Sequence, residues 1–296
     1  MINELKFKLL FGLLIFRATI SYAQNIDTAS FNQKTELVKW FCAYDEVSET
    51  VDRYVGRKVG TQEYIEFKKH KRFYYIDSTD KCHFILGDIE NNRFKLFKHY
   101  LALESYVVKE TDEAIDTVLA KSMILALTEA DKLTSKHIGV DSIKFNQYAT
   151  KNRGNNSIDV FFLPASVREN DHKYYTCHFH YLFDSTGNLL REEFFYKKSH
   201  DIYCQMKRSD AFKLAYIELE QPTLGVIYSI WEKRAWYYDF EVYTKNNVTV
   251  LRKHKNSPHY FWEHMNIKDY EKEQRKKLKR RKRRKRQRER FEKRIE

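Results

Sequence analysis

Residues 174–197 read YYTCHFHYLF, then DSTGN, then LLREEFFYK: two apolar arms around a turn-forming pentapeptide. The turn, Asp184-Ser185-Thr186-Gly187-Asn188, offers a glycine for the positive φ that tight hairpins need. In the first arm Tyr175, Cys177, Phe179, Tyr181 and Phe183 fall on every second position, so they share one strand face. That face is expected to be core. An antiparallel hairpin thus sits in the middle of the chain, and its neighbours are read outward from it.

Upstream, Ser157 to Leu163 is a further apolar strand, closed by Pro164, which suits a strand end. Before it, Ile115, Leu119, Met123, Ala126, Ala130 and Leu133 recur at steps of four and three, the stripe of a helix facing a core. Asp112 is the expected cap, Glu113 and Asp116 occupy the first turn, and Gly139 is the expected stop. Strands are expected at Tyr64–Phe67, Phe73–Ile76, Cys82–Leu86 and Arg93–Tyr100, with polar breaks at Asp77–Asp80 and Glu90–Asn92. A helix from Thr28 to about Val55 precedes them, with Leu37, Val38, Phe41 and Cys42 at helical spacing.

Downstream, a short helix from Ser209 to Leu219 leads to Pro222. A last hairpin pairs Val226–Trp231 with Trp236–Tyr243, and Asn246-Asn247 turns into a strand from Val248 to Arg252. Helix followed by strands thus recurs over 28–100, 112–197 and 209–252, without a residue-level repeat. The fold class expected is α+β: a mostly antiparallel sheet with two or three packed helices. Residues 24–270 form the globular region, with room for two subdomains dividing near 105–140. With 21 Tyr, 21 Phe and 4 Trp, that region can bury a core without metals or disulfides.

Charge is distributed very unevenly. Residues 271–296 carry sixteen basic and five acidic side chains, a net of +11, whereas the whole chain is +13. The first 23 residues supply the remaining +2, so residues 24–270 are neutral. The basic side chains between Arg275 and Arg288 are Arg275, Lys276, Lys277, Lys279, Arg280, Arg281, Lys282, Arg283, Arg284, Lys285, Arg286 and Arg288. Like charges four residues apart oppose an isolated helix, so this tail is expected to be disordered. A polyanion would relieve the repulsion and release counterions. No aromatic interleaves the run, which disfavours base stacking.

The N-terminal segment carries an address. Lys6 and Lys8 precede the apolar stretch Leu9–Phe16, and Ser21-Tyr22-Ala23 fits a cleavage site, so 1–23 reads as a secretory signal peptide. The apolar run falls short of the roughly 20 residues of a membrane span, and no later segment is apolar for long enough, so the mature chain is expected to have no transmembrane segment. Export would bring Cys42, Cys82, Cys177 and Cys204 into an oxidising compartment. Pairing of near neighbours, Cys42–Cys82 and Cys177–Cys204, stands against four reduced thiols.

Phe161-Phe162-Leu163-Pro164-Ala165 ahead of the central hairpin, together with Gln221-Pro222-Thr223-Leu224-Gly225, resembles a group of uncharacterised exported proteins of Gram-negative bacteria. The resemblance covers roughly 110–265 and implies export but no activity. The basic tail departs from the group's pattern.

Local chemistry is sparse. His178 and His180 stand two apart on a strand, so both project from one face and could share a zinc ion, with His172 or His200 as a third ligand. Asp239 and Glu241 likewise share a strand face between Tyr237 and Tyr243, as a glycosidase acid/base pair would, against a solvated outer face of a hairpin. His254, His259 and His264 share no helix or strand face. Nucleophile-elbow, P-loop and HExxH motifs are absent from the sequence. The expectation is an exported, non-enzymatic protein of the periplasm, envelope or exterior, without a cofactor. Its tail would bind an anionic polymer or membrane surface, and no specific protein partner is expected. The rival readings are an exported hydrolase and, should the chain stay inside the cell, a nucleic-acid-binding protein.

Overall fold

The computed structural model describes residues 27–77, 81–103, 107–138, 144–152, 156–165, 177–195, 203–205, 212–216, 220–234, 240–254 and 257–292. Residues 1–23, expected as a signal peptide, and Gly139, the expected helix stop, lie outside them. The chain begins with helices α1 (Thr28–Lys58) and α2 (Thr61–Lys69). An antiparallel sheet follows, in the order β1 (Lys71–Ile76), β2 (Cys82–Glu90), β3 (Arg93–Leu103), β4 (Val107–Glu110). Helix α3 (Thr117–Ile138) leads to a second antiparallel sheet of β5 (Phe145–Lys151), β6 (Ile158–Pro164), β7 (His178–Phe183) and β8 (Leu189–Phe195).

The remaining strands are β9 (Tyr203–Gln205), β10 (Phe212–Tyr216), β11 (Phe240–Thr244), β12 (Asn247–Lys253) and β13 (Tyr260–Asn266). They form a third sheet in the order β13-β12-β11-β10-β9, in which β10 and β11 run parallel and the other pairs antiparallel. Helix α4 (Leu224–Glu232) lies in the crossover between the parallel strands, and α5 (Ile267–Glu292) follows β13 directly. This is an α+β fold with mostly antiparallel sheets. Two compact units result: residues 34–200 with 223–232, and residues 1–33, 201–222 and 233–296.

In the first unit the α3 stripe behaves as its spacing predicts. Met123, Ala126 and Ala130 are buried against Phe73 and Ile85 of the first sheet and against Val160, Phe162, Phe179, Tyr181 and Phe183 of the second. The row Cys177, Phe179, Tyr181, Phe183 is fully buried, as expected of the hairpin arm. Aromatic side chains of α1 pack against the second sheet from a different direction, with the Phe41 ring 4.5 Å from Tyr148 and 5.1 Å from Phe161. Both faces of β6 are therefore covered, which is why it reads as an unbroken apolar run rather than an alternation.

The turns follow local chemistry. Asn91 and Asn92, at φ 49° and 59°, join β2 to β3 in the two-residue form that matches strand twist. Between Leu86 and Gly87 the register skips Phe97, a bulge in β3, and a Cβ on Gly87 would stand 2.6 Å from the Lys95 carbonyl oxygen. At the central hairpin Gly187 has φ 90°. There Asp184 Oδ1 accepts from the Thr186 and Asn188 amides at 2.8 and 2.9 Å. Hydrogen bonds from Thr186 and Asn188 hold its carboxyl well below the usual carboxylate range.

Several expectations are corrected. Asp116, not Asp112, caps α3: its Oδ1 accepts from the Val118 and Leu119 amides at 3.0 and 2.9 Å. Asp116 immediately precedes the first helical residue, so its carboxylate alone reaches those orphan donors. Tyr64–Phe67, expected as a strand, lies in α2, with Phe67 buried and Ile65 46 % exposed. Val226–Trp231, expected as a strand, lies in α4, every residue of which from Leu224 to Trp231 is buried. Within the expected helix Ser209–Leu219 the described residues 212–216 are strand β10, so the third helix-then-strands module does not exist as read.

The basic tail, expected to be disordered, is helical through Glu292. From Lys268 to Arg290 it contains no glycine, proline or β-branched residue, and Lys, Arg, Gln and Glu are good helix formers. Repulsion between exposed like charges costs only about 0.2–0.5 kcal/mol per pair and is screened by salt. Ion pairs Glu271–Arg275 (3.2 Å), Glu273–Lys277 (2.6 Å) and Lys285–Glu289 (3.9 Å) offset part of it. The first turn is fixed by packing, which removes the nucleation cost.

Candidate polyanion interface and buried carboxylate clusters

Helix α5 begins on a prepared platform. The Asn266 side chain accepts from the Lys268 amide at 2.9 Å, and the Ile267 amide donates to the Asn246 carbonyl at 3.2 Å. Ile267 and Tyr270 join Val248, Val250, Tyr243 and Met265 in the core of the second unit. Tyr243 donates its hydroxyl to Glu241 Oε2 at 2.7 Å, and Tyr270 hydrogen-bonds the same carboxylate. Burial, reinforced by that carboxylate, raises the pKa of both phenols. Glu241 is thus a buried anchor under the first turn of α5, not the exposed half of a carboxylate pair. Asp239 lies outside the described residues.

Beyond the anchor, every residue from Lys279 to Phe291 is exposed. Twelve of the fourteen positions from Arg275 to Arg288 are basic, so successive 100° steps place positive charge on all faces. The interface expected from the sequence is therefore a charged rod, about 20 Å long over those fourteen positions at 1.5 Å per residue.

The histidine pair does not assemble a metal centre among the described residues. His180 Nε2 meets Asp159 Oδ1 at 2.7 Å and its ring stacks on Phe161 at 4.2 Å. The His178 ring lies nearly parallel to Phe195 at 6.3 Å. No group of three or more His, Cys, Asp or Glu among the described residues could hold a metal, and His172 and His200 lie outside them. Of the later histidines, His264 bonds Thr249 Oγ1 at 3.0 Å and meets the Phe31 ring at 4.5 Å, and burial lowers its pKa. Cys82 carries a free thiol, its pKa pushed up to about 11 by burial, so the Cys42–Cys82 bridge is not formed. The side chain of Cys204 is not among those described.

Two polar clusters have no local sequence signature. In the first, Asp45 on α1 accepts the Tyr148 hydroxyl at 2.8 Å and the Tyr228 hydroxyl at 2.9 Å. The two phenol oxygens are themselves 2.9 Å apart, and Asn146 donates to Tyr228 at 2.9 Å. Burial raises the Asp45 pKa to about 6, against the two phenol donors, which lower it; Glu232 and Glu46 add to the rise. With Asp45 ionised, its three mutual contacts with the phenols share two protons, and protonating it supplies the third.

In the second cluster His83 Nε2 meets Asp77 Oδ2 at 3.0 Å and His83 Nδ1 meets His99 Nε2 at 2.9 Å. The Tyr75 ring lies parallel to His83 at 4.8 Å. A nitrogen-to-nitrogen hydrogen bond needs one donor and one acceptor, so the two rings cannot both be charged. Burial, then the charge of His83, lowers the His99 pKa.

No described helix is long and apolar enough to cross a membrane. Comparison with protein-family models, with curated proteins and with solved structures finds no match for the chain.

Proposed function

We propose that this is an exported, non-enzymatic protein that docks on anionic polymers or membrane surfaces of the cell envelope through α5. The observation that carries the reading is a net +11 over residues 271–296 of a chain that is neutral from 24 to 270. An exposed cationic rod attracts polyphosphate-like surfaces by counterion release, and each lysine or arginine near an anionic bilayer contributes about 1 kcal/mol. Specific recognition is not implied, because the run has no aromatic interleaving and no base-reading pattern. The buried start of α5 supports the reading, since Tyr270 and Glu241 hold the helix at the edge of a folded sheet.

The test is retention on heparin and on liposomes containing anionic lipid, for the full chain and for a chain lacking 271–296. This cut spares Ile267 and Tyr270, so the fold should survive, as circular dichroism and the denaturation midpoint would report. Loss of retention, with a steep salt dependence in the full chain, is the expected result. Equal retention of both chains would overturn the proposal. Fractionation with intact-mass analysis tests export: a native product starting at Gln24 in an exported fraction is expected, and an intact Met1 in the cytosol would direct attention to RNA or DNA instead.

A further inference from the structure

Lys68-Lys69-His70-Lys71-Arg72 is a run of five basic residues joining α2 to β1, and all five line one cavity of about 420 Å³ in the first unit. Lys68 and Lys69 occupy the last turn of α2, where the helix dipole favours cations anyway. Lys71 and Arg72 belong to a strand, so that reason does not apply to them.

Two acids, Asp45 and Asp52, line the cavity with these cations, and the other carboxylates that meet them lie outside its lining. Asp52 of α1 serves two of them at once, Lys68 and, at 3.1 Å, Arg72, so two positive charges face one negative. Lys71 meets Asp131 of α3, and His70 meets Asp88 of β2. Lys69 meets Glu66 at 2.8 Å on its own helix, in a pair that is largely exposed. The second acid in the wall, Asp45, is already engaged by the hydroxyls of Tyr148 and Tyr228. Burial lowers the Lys71 pKa although the Asp88 charge opposes the shift. Ser48 and Gln147 add neutral polar groups to the lining.

We propose that this cavity binds a small phosphorylated compound, with Lys68, Lys71 and Arg72 taking the phosphate. Arginine offers a planar fork that matches a phosphate edge, and the two lysines act as point charges beside it. The ion pairs to be exchanged are partly exposed, and such pairs are individually weak, so a doubly charged oxyanion competes with them. A volume of about 420 Å³ exceeds that of inorganic phosphate and lies within the usual range of small-molecule sites, roughly 300–1,000 Å³. The site uses no residue of α5.

Calorimetric titration of the full chain with ribose 5-phosphate, at about 150 mM salt where exposed charges are screened, is the test. Saturable one-to-one binding is expected, with no response to ribose. Arg72→Gln should weaken it by about tenfold or more, the scale of a lost charge-assisted contact. Ser48→Phe, which adds a ring to the lining and removes no charge, should abolish it and decides the matter if Arg72→Gln misfolds. Lys282→Gln with Arg283→Gln in α5 should leave it unchanged, which separates this site from the envelope-docking reading. Absence of saturable binding, or the same affinity in the Arg72 and Ser48 variants as in the wild type, would overturn the proposal.

Discussion

Two carboxylates in this chain are buried in the same manner, each held by a pair of tyrosine hydroxyls, yet they serve different ends. Asp45 draws its partners from far along the sequence, Tyr148 and Tyr228 lying 103 and 183 residues away. It joins α1, β5 and α4, so the cluster is a tertiary staple in the middle of an aromatic core. Glu241 takes one partner two residues away on its own strand, Tyr243, and one from the first turn of α5, Tyr270. That cluster fixes the entry of a charged helix onto a sheet. A carboxylate with two phenol donors is therefore not a functional signature by itself; what it joins decides its role. At the Asp45 staple, burial raises the carboxyl pKa to about 6.

The largest effect that would test this contrast is cavity formation at the staple. Tyr148→Ala removes a fully buried ring that touches Phe41 and Tyr44, and should cost about 3–5 kcal/mol in urea unfolding. A cost below about 0.5 kcal/mol, the range of ordinary surface substitutions, would show that the cluster is not a staple.

Next comes the pH response. The folded chain keeps a proton on Asp45 up to about pH 6, whereas an unfolded aspartate releases it near 3.8. This group's contribution is therefore fully present below about 3.8 and is lost as pH rises through about 6. The amplitude is on the order of 3 kcal/mol, at about 1.4 kcal/mol per pH unit. Asp45→Asn should flatten stability across that window, and an unchanged slope would remove Asp45 from the account.

A smaller effect is expected at the second cluster. Tyr270→Phe deletes one donor to Glu241 and should cost about 1 kcal/mol while retaining the ring's packing. Should it cost as much as Tyr148→Ala, the division between staple and anchor would fail. The smallest change concerns Asp184, whose exposed carboxyl is held below the ordinary range by Thr186 and Asn188. It stabilises above the ordinary carboxylate pKa and loses that contribution as pH falls through its own lowered value, the opposite slope to Asp45. Asp184→Asn should remove this acid-side loss in a stability titration.

What the sequence revealed follows from where each signal resides. The α3 stripe and the row Phe179, Tyr181, Phe183 were legible because each element is apolar on one side and its period survives. Val226 to Trp231 read as a strand because α4 is buried on all sides, so no period remains and β-branched Val226, Ile227 and Ile230 suggest a strand. At Tyr64–Phe67 aromatic and β-branched residues outvoted a helical period that only the burial of Phe67 discloses. The charge of α5 was plain, but its helicity depends on a first turn packed by Ile267 and Tyr270. Asp45, Tyr148 and Tyr228 meet only through the fold. The run Lys68–Arg72 was visible as five consecutive basic residues and was overshadowed by the much longer run after Glu271.

The division of the chain into units bears on the order in which they can form. The first unit is nearly continuous, residues 34–200 with one short return at 223–232. The second gathers three separated stretches, and its parallel β10–β11 pair closes across 217–239. During synthesis the earlier continuous stretch can collapse as it emerges, whereas the sheet of β9–β13 must wait for its last strands. The cationic helix is thus among the last elements to dock, and a ribosome stalled before Tyr260 would present a largely formed first unit beside unpaired strands open to aggregation.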